Sequence, residues 1–229
     1  MREAGYRIVM IRLLLGPLLA LAALFGAVPA RAAVTITFWS HEFGNSFPHA
    51  FFTLRGVPDA GGAPVDANYG FTAKSITPAL LWGTVAGRLD ISKPGYIRGS
   101  DAQFSVVLSD TQYSQVLTLI AAWDDRTGDG HYNLNKRNCV HFVKEAARIA
   151  GLTGIDQPKL MKRPRSYLLA VEAANAGLVV PVKLRGEAYF ATLPPLRATN
   201  APMPSAPPVP TRAIPVGPVP QPIPPAPAP

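Results

Sequence analysis

Residues 138–151, NCVHFVKEAARIAG, contain the only cysteine of this 229-residue chain. Their apolar side chains recur at the three- and four-residue spacing of a helix with one buried face. That face consists of Cys139, Phe142, Val143, Ala146, Ala147 and Ala150. Gly151 ends the pattern, since glycine is favoured just beyond a helix C-terminus. The stretch therefore predicts an amphipathic helix with the cysteine in its first turn, on the inner face.

A cysteine in the first turn of a helix is well placed to act as a nucleophile. The thiolate is the reactive form of cysteine, and unpaired N–H groups and the positive end of the helix dipole stabilise it. The N–H groups of the first turn can also support an oxyanion that develops on a substrate carbonyl. The alternative is a buried structural cysteine, which is common in protein interiors. Position alone leaves both interpretations of Cys139 open.

A cysteine nucleophile needs a base, and the chain has four histidines. His141 lies two residues after Cys139 on the same helix and so points away from it, whereas His131 lies in a glycine-rich loop. His49 opens an apolar strand that can fix its ring, and we predict it as the base. His41, in the polar turn just before, could line the cleft instead. Sulfur and imidazole nitrogen should then lie within about 4 Å of each other.

Outward from this segment, the sequence predicts an α+β fold in which an antiparallel sheet packs against the cysteine helix. The hairpin that carries His49 is indicated by two apolar runs, 49–55 and 65–72, around the turn 56–64. Further strands are predicted over residues 34–39, 84–89, 104–108 and 179–184. Further helices are predicted over residues 111–123, capped by Ser109 or Asp110, and 164–175, which begins at Pro164.

The two ends of the chain differ in composition from the middle. Residues 1–33 combine early arginines, the apolar run 13–25 and a small-residue site at 30–32, which is the pattern of a secretory signal peptide. Residues 194–229 consist mainly of Pro, Ala and Val, which predicts an extended, disordered tail. Residues 34–193 then form one domain. We expect a periplasmic or secreted protein with no transmembrane span in its mature form.

The net charge of the whole chain is +8, and the predicted signal peptide contributes part of it. The cations are scattered, apart from the group Lys159, Lys162, Arg163 and Arg165. We interpret this group as the solvated start of a helix rather than as a surface for anionic membrane or cell wall. Nothing in the sequence resembles a nucleic-acid-binding module, so we expect no nucleic-acid partner.

We also expect no metal and no cofactor. Asp125, Thr127 and Asp129 are spaced like the first half of a calcium loop, but Lys136 stands where that loop needs a glutamate. A lysine at this position repels the ion. We therefore interpret the segment as a turn.

The cysteine segment resembles a known motif. Asn138-Cys139-Val140-His141-Phe142, preceded by Tyr132-Asn133-Leu134, is similar to the Asn-Cys-x-His-Phe signature of circularly permuted papain-like thiol enzymes. These include the lecithin:retinol acyltransferase-like proteins and the PPPDE isopeptidases, both related to cell-wall peptidases of the NlpC type. Residues 65–71, VDANYGF, resemble the strand that follows the PPPDE histidine. The likeness covers residues 49–152 and implies a papain-like fold with Cys139 as nucleophile and His49 as base.

The chain departs from these families at the position that orients the base. The acyltransferase-like proteins have a second histidine on the next strand, where this chain offers Asp66, Asn68 or Tyr69. We predict Asn68 or Asp66 as the orienting or polar site residue, with Asn138 and His41 as further polar residues of the site. The PPPDE enzymes use only a cysteine–histidine pair, so the resemblance does not require a third member.

Together these features predict an exported cysteine hydrolase or acyl-transfer enzyme that acts on an amide, a thioester or an ester. Peptidoglycan peptides are the expected substrate from kinship and compartment. The alternative is a non-catalytic exported binding module on the same scaffold, with the Pro-rich tail as a tether or as a ligand for a partner. That alternative predicts a buried or misaligned Cys139.

Overall fold

The computed structural model describes residues 33–42 and 47–196. The predicted signal peptide, apart from Ala33, lies outside the described residues, and so does the predicted tail from residue 197 onward. The described chain has an α+β fold with an antiparallel sheet, which confirms the fold class predicted from the sequence. No helix in these two ranges is long and apolar enough to cross a bilayer.

Within the described residues, seven antiparallel strands form one sheet in the order β6-β4-β3-β2-β1-β5-β7. The strands are β1 (Val34–His41), β2 (His49–Gly56), β3 (Val65–Ala73), β4 (Thr84–Asp90), β5 (Asp101–Leu108), β6 (His131–Asn133) and β7 (Val180–Arg185). β2 lies at the centre, between β1 and β3. Its first six residues, HAFFTL, are all buried. A strand covered on both faces needs such a continuous apolar run.

The helices connect the strands and cover the sheet. They are α1 (Ala79–Trp82), α2 (Pro94–Arg98), α3 (Asp110–Trp123), α4 (Cys139–Ile149), α5 (Pro164–Ala174) and α6 (Gly186–Thr192), with a 3-10 turn at Pro158–Leu160. Ser109 caps α3, because its hydroxyl accepts a hydrogen bond from the Gln112 N–H at 3.2 Å. All predicted elements form within three residues of their predicted bounds, whereas α1, α2, α6 and β6 were not predicted.

Alternation along β2 divides the interior between the two faces of the sheet. On the main face, Ala50, Phe52 and Leu54 pack with apolar residues of α3, α4 and α5. On the rear face, Phe51 packs with Trp39 and with residues near α2 and α6. Consecutive side chains of β2 therefore lie in different cores. For this reason the candidate site draws residues from both faces of the sheet.

Candidate functional site

An open cleft of about 1360 Å³ lies where the start of β2 meets the start of α4. His49 and Cys139 both line it. Its apolar lining residues include Phe47, Ile76, Leu80, Leu81, Tyr96, Tyr132, Leu134 and Met161. Its charged lining residues are Lys74, Arg88, Asp90 and Lys162. The residues predicted as nucleophile and base thus share one open space.

Asn138 fixes the start of α4. Its side chain is buried and both accepts and donates hydrogen bonds. The Oδ1 atom accepts from the backbone N–H groups of Val140, at 2.8 Å, and His141, at 3.1 Å. The Nδ2 group donates to the carbonyl oxygens of Leu134 and Met161, both at 2.8 Å. Asn138 is therefore the N-cap that ties the helix start to two neighbouring segments, and it lines the cleft.

The cap occupies N–H groups that the sequence assigns to an oxyanion. Since Val140 and His141 donate to the Asn138 side chain, they are not free to bind a substrate oxygen. Of the first-turn N–H groups expected to support an oxyanion, those of Val140 and His141 are therefore already engaged. The backbone N–H groups of Ala50 and Cys139 also lie beside the thiol, since both lower its pKa through hydrogen bonding.

Cys139 begins α4 and is nearly enclosed, with 7% of its surface exposed. Burial raises the pKa of its thiol above the ordinary value, because a thiolate is poorly solvated there. Hydrogen bonding from the backbone N–H groups of Ala50, Val140 and Cys139 opposes this shift without cancelling it. The raised pKa favours the protonated thiol at neutral pH, a question that helix position alone left open.

His49 begins β2, and its ring is buried on the rear face of the sheet. The ring stacks on Phe51, with centroids 6.0 Å apart and planes at 15°, and it lies against Gly70. Its Nε2 atom has no hydrogen-bond partner within residues 33–42 and 47–196. Burial lowers the pKa of His49 to about 4, while the Asp90 carboxylate acts in the opposite direction. The imidazole is therefore neutral at pH 7 and able to accept a proton.

The two predicted partners reach the cleft from opposite faces of β2. Cys139 belongs to the main-face core, together with Ala50. The ring of His49 lies beside Phe51, which belongs to the rear-face core. No hydrogen bond joins the imidazole Nε2 to the sulfur in the described part of the chain. The structure thus brings both residues to one cleft but not into a hydrogen bond.

Asp90 is a site residue that the sequence did not predict. It ends β4, where the strand register places it opposite Gly70 and so on the face that holds the His49 ring. It lines the cleft, and its carboxylate raises the pKa of His49 against the larger effect of burial. The local sequence does not mark this residue, because its surroundings depend on how β3 pairs with β4.

Asn68 acts on the site through a neighbour. Its Oδ1 atom accepts from the backbone N–H of Ser92 at 2.7 Å, and its Nδ2 group donates to the Ser92 carbonyl at 3.3 Å. The Ser92 hydroxyl in turn donates to Oδ2 of Asp90 at 2.9 Å. Asn68 is therefore connected to the Asp90 carboxylate by one intervening residue and is not a direct hydrogen-bond partner of His49.

Asp66 lies away from the site. It forms an ion pair with Arg55, its partner in the β2–β3 register near the far end of the hairpin. Arg55 is six residues from His49, which corresponds to about 20 Å at the ordinary rise of a strand. At that distance Asp66 cannot orient the imidazole. The prediction of Asp66 as an orienting residue is therefore wrong.

His41 lies next to the site without lining the cleft. It pairs with His49 across β1 and β2, and its ring stacks on Tyr96 with centroids 4.3 Å apart. Its Nδ1 atom lies 3.0 Å from the hydroxyl oxygen of Ser100. Burial, followed by the charge of Arg185, lowers the pKa of His41. His41 in turn lowers the pKa of His49.

Comparisons with known proteins identify no relative. No family model, no curated protein and no solved structure matches this chain. The likeness to permuted papain-like enzymes therefore rests on the sequence of residues 49–152 alone.

Proposed function

We propose that the protein is an exported cysteine hydrolase or acyl-transfer enzyme with a papain-like fold, in which Cys139 attacks an amide, a thioester or an ester. One observation supports this most directly: Cys139 and His49 line the same cleft, and the buried Nε2 atom of His49 has no hydrogen-bond partner among the described residues. A buried polar atom without a partner costs free energy, and such atoms in native proteins call for a functional explanation. The strand of His49 also precedes the cysteine helix, as in the permuted enzymes that the sequence resembles.

Without substrate, the Cys139 thiol and the His49 imidazole are both neutral, since the pKa of the thiol is raised and that of the imidazole is lowered. Proton transfer must therefore accompany attack rather than precede it. As the sulfur of Cys139 bonds to the carbonyl carbon, its proton passes to Nε2 of His49. The imidazolium gives that proton to the leaving amine, thiol or alcohol, and an acyl-enzyme remains. Water or another acceptor then takes the acyl group and restores the thiol.

Two groups beside the pair favour these steps. The Asp90 carboxylate stabilises the imidazolium that forms on His49. The N–H of Cys139, next to its sulfur, is available to the oxyanion that develops at the attacked carbonyl. Asn138 keeps both the thiol and this N–H in place, because its side chain holds the first turn of α4.

Catalysis requires the imidazole to come within hydrogen-bonding reach of the sulfur. The ring is now stacked on Phe51, on the other face of β2. Hydrogen bonds between catalytic groups are often long without substrate and shorten in the complex. In the proposed mechanism, substrate binding in the cleft draws the ring of His49 away from Gly70 and toward Cys139.

A peptide of the cell wall suits this proposal as substrate. The predicted signal peptide directs the protein out of the cytoplasm, and the families that the sequence resembles are related to cell-wall peptidases. The cleft offers apolar side chains, such as Phe47 and Leu81, beside the cations Lys74 and Lys162. This mixture fits a peptide that carries both small apolar and acidic residues.

Alkylation with iodoacetamide tests the proposal. At pH 7.5, Cys139 should react, and His49→Ala should slow the reaction by at least about tenfold, because the base is removed. His131→Ala is the matched control, since His131 is exposed and does not line the cleft. It should react like the unchanged protein, and Cys139→Ser should take up no label. Equal, slow labelling with and without His49 would contradict the proposal.

A second function is favoured by a different observation. The sulfur and the imidazole share no hydrogen bond, and the pKa of the thiol is raised rather than lowered. A non-catalytic binding module on the same scaffold predicts both features. Such a module should tolerate Cys139→Ser without loss of partner binding, and its slow alkylation should not depend on His49.

A further inference from the structure

A second cavity, of about 750 Å³, lies between α4 and the segment that leads to α5. Its charged lining residues are Lys144, Asp156, Lys159, Lys162 and Arg163. We call this space the basic cavity. The sequence alone favours a solvated helix start for the cations at 159–163, but the structure arranges them around one open cavity.

Most of the cations in the basic cavity have no counter-ion among the residues that the structure describes. Lys144 pairs with Asp156 at 2.5 Å, and these two charges offset each other. Lys159, Lys162 and Arg163 form no ion pair with any residue of the described ranges. Unpaired like charges around one space create a positive potential that attracts an anion. The cavity therefore favours a negatively charged ligand.

The basic cavity adjoins the cleft that contains Cys139. Met161 and Lys162 line both spaces. The Met161 carbonyl accepts a hydrogen bond from Nδ2 of Asn138 at 2.8 Å. The shared wall is thus attached to the residue that caps the cysteine helix. A ligand held at the sulfur can extend past this wall into the basic cavity.

We propose that the basic cavity binds a carboxylate of a peptide substrate whose acyl group is held at Cys139. The inference rests on the proposed function for its substrate class, because the negative charges of an unmodified peptide are carboxylates. It adds a specificity: peptides with a free carboxylate near the scissile bond are bound in preference to their amidated counterparts. Lys162 is the central recognition residue, since it lines both spaces.

Binding to a chain that cannot react separates this site from catalysis. The Cys139→Ala protein is titrated with N-acetyl-triglutamate amide and with N-acetyl-triglutamine amide, and affinities are read from NMR chemical shifts. The glutamate peptide should bind at least about fivefold more tightly at low salt, and this difference should shrink as salt screens the charges. Equal binding of the two peptides would overturn the proposal.

A double variant locates the binding. Lys162→Gln with Arg163→Gln, in the same background, should weaken binding of the glutamate peptide by about fivefold and leave the glutamine peptide unaffected. Arg165→Gln is the matched control, because Arg165 is exposed near the same helix start and lines neither space. An equal loss in the control, or no loss in the double variant, would overturn the assignment to this cavity.

Failure of the carboxylate site and failure of the enzyme give different results. Charge-selective binding that depends on Lys162 and Arg163, together with slow alkylation independent of His49, would retain the basic cavity and reject catalysis. Alkylation that depends on His49, with no preference for the glutamate peptide, would retain the enzyme and reject the carboxylate site.

Discussion

The imidazole of His49 lies against the backbone of Gly70, at a position where any side chain would meet the ring. The strand register explains this contact. Gly70 lies opposite Phe51 on β2, and Asp90 lies opposite Gly70 on β4. A glycine between them leaves space for a buried ring next to a carboxylate. Three neighbouring strands therefore combine to bury the candidate base.

Gly70→Ala should displace the His49 ring and destabilise the fold. An added methyl group would approach Nε2 too closely and would lie 3.2 Å from Cε1. We expect the free energy of unfolding to fall by about 1–3 kcal/mol, as measured by urea denaturation. Gly177→Ala, where a methyl group would meet nothing within 4 Å, should have a much smaller effect. In a His49→Ala background most of the cost should disappear, and a cost that persists there would rule out the ring as its cause.

Much of the fold could be predicted because local patterns determine it. The apolar spacing of residues 139–150 gives α4, and the apolar runs and turn residues that follow His49 give β2 and β3. The role of Asp90 could not be predicted, because it reaches the site through the pairing of β3 with β4. Pairing between strands depends on tertiary packing, which leaves no mark in the sequence next to Asp90.

The protonation state of Cys139 and the hydrogen bonds at the start of α4 could not be predicted from the sequence either. A helix start favours a thiolate, whereas a buried cysteine does not, and the sequence left both open; burial raises the pKa of the Cys139 thiol despite the nearby N–H groups. The N–H groups of Val140 and His141 looked free in the sequence. The structure commits them to Asn138, which was predicted from the sequence as a polar site residue, although asparagine is a favoured cap just before a helix.

Burial of His49 should make the fold less stable in mild acid. Its pKa is about 4 in the folded protein, against about 6.5 for an unperturbed histidine. Between these values the unfolded chain binds a proton that the folded protein does not bind. The free energy of unfolding therefore falls as the pH drops from about 6.5 to about 4, by up to about 3 kcal/mol from this residue.

Urea denaturation at pH 7.5 and at pH 5 measures this effect. His49→Gln should remove part of the pH dependence, whereas His131→Gln, at an exposed position, should retain it. His41 and His141, whose pKa values burial also lowers, contribute losses of the same sign in every variant. A pH dependence that is identical in both variants would contradict a buried, neutral His49.

Asn138→Ala should cost more than the loss of an ordinary helix cap. The change removes an acceptor for two N–H groups and a donor for two carbonyl oxygens. At a buried position we expect a loss of about 2–4 kcal/mol in the free energy of unfolding. Ser109→Ala, which removes the more exposed cap of α3, should cost about 1 kcal/mol. Equal losses would mean that the bonds from Asn138 to the neighbouring segments contribute no stability.

Asp90→Asn should lower the pKa of His49 further and slow the alkylation of Cys139. The substitution removes the nearby negative charge that favours the imidazolium. In the proposed mechanism the same charge stabilises the imidazolium that forms as the thiol loses its proton. NMR titration of the ring reports the pKa, and the iodoacetamide rate, which should fall by about tenfold, reports the proton transfer. Asp66→Asn, an exposed carboxylate near the far end of the hairpin, should change neither quantity. A lowered pKa with an unchanged alkylation rate would mean that His49 does not act as the base for Cys139, and the binding module would then be the better account of the cleft.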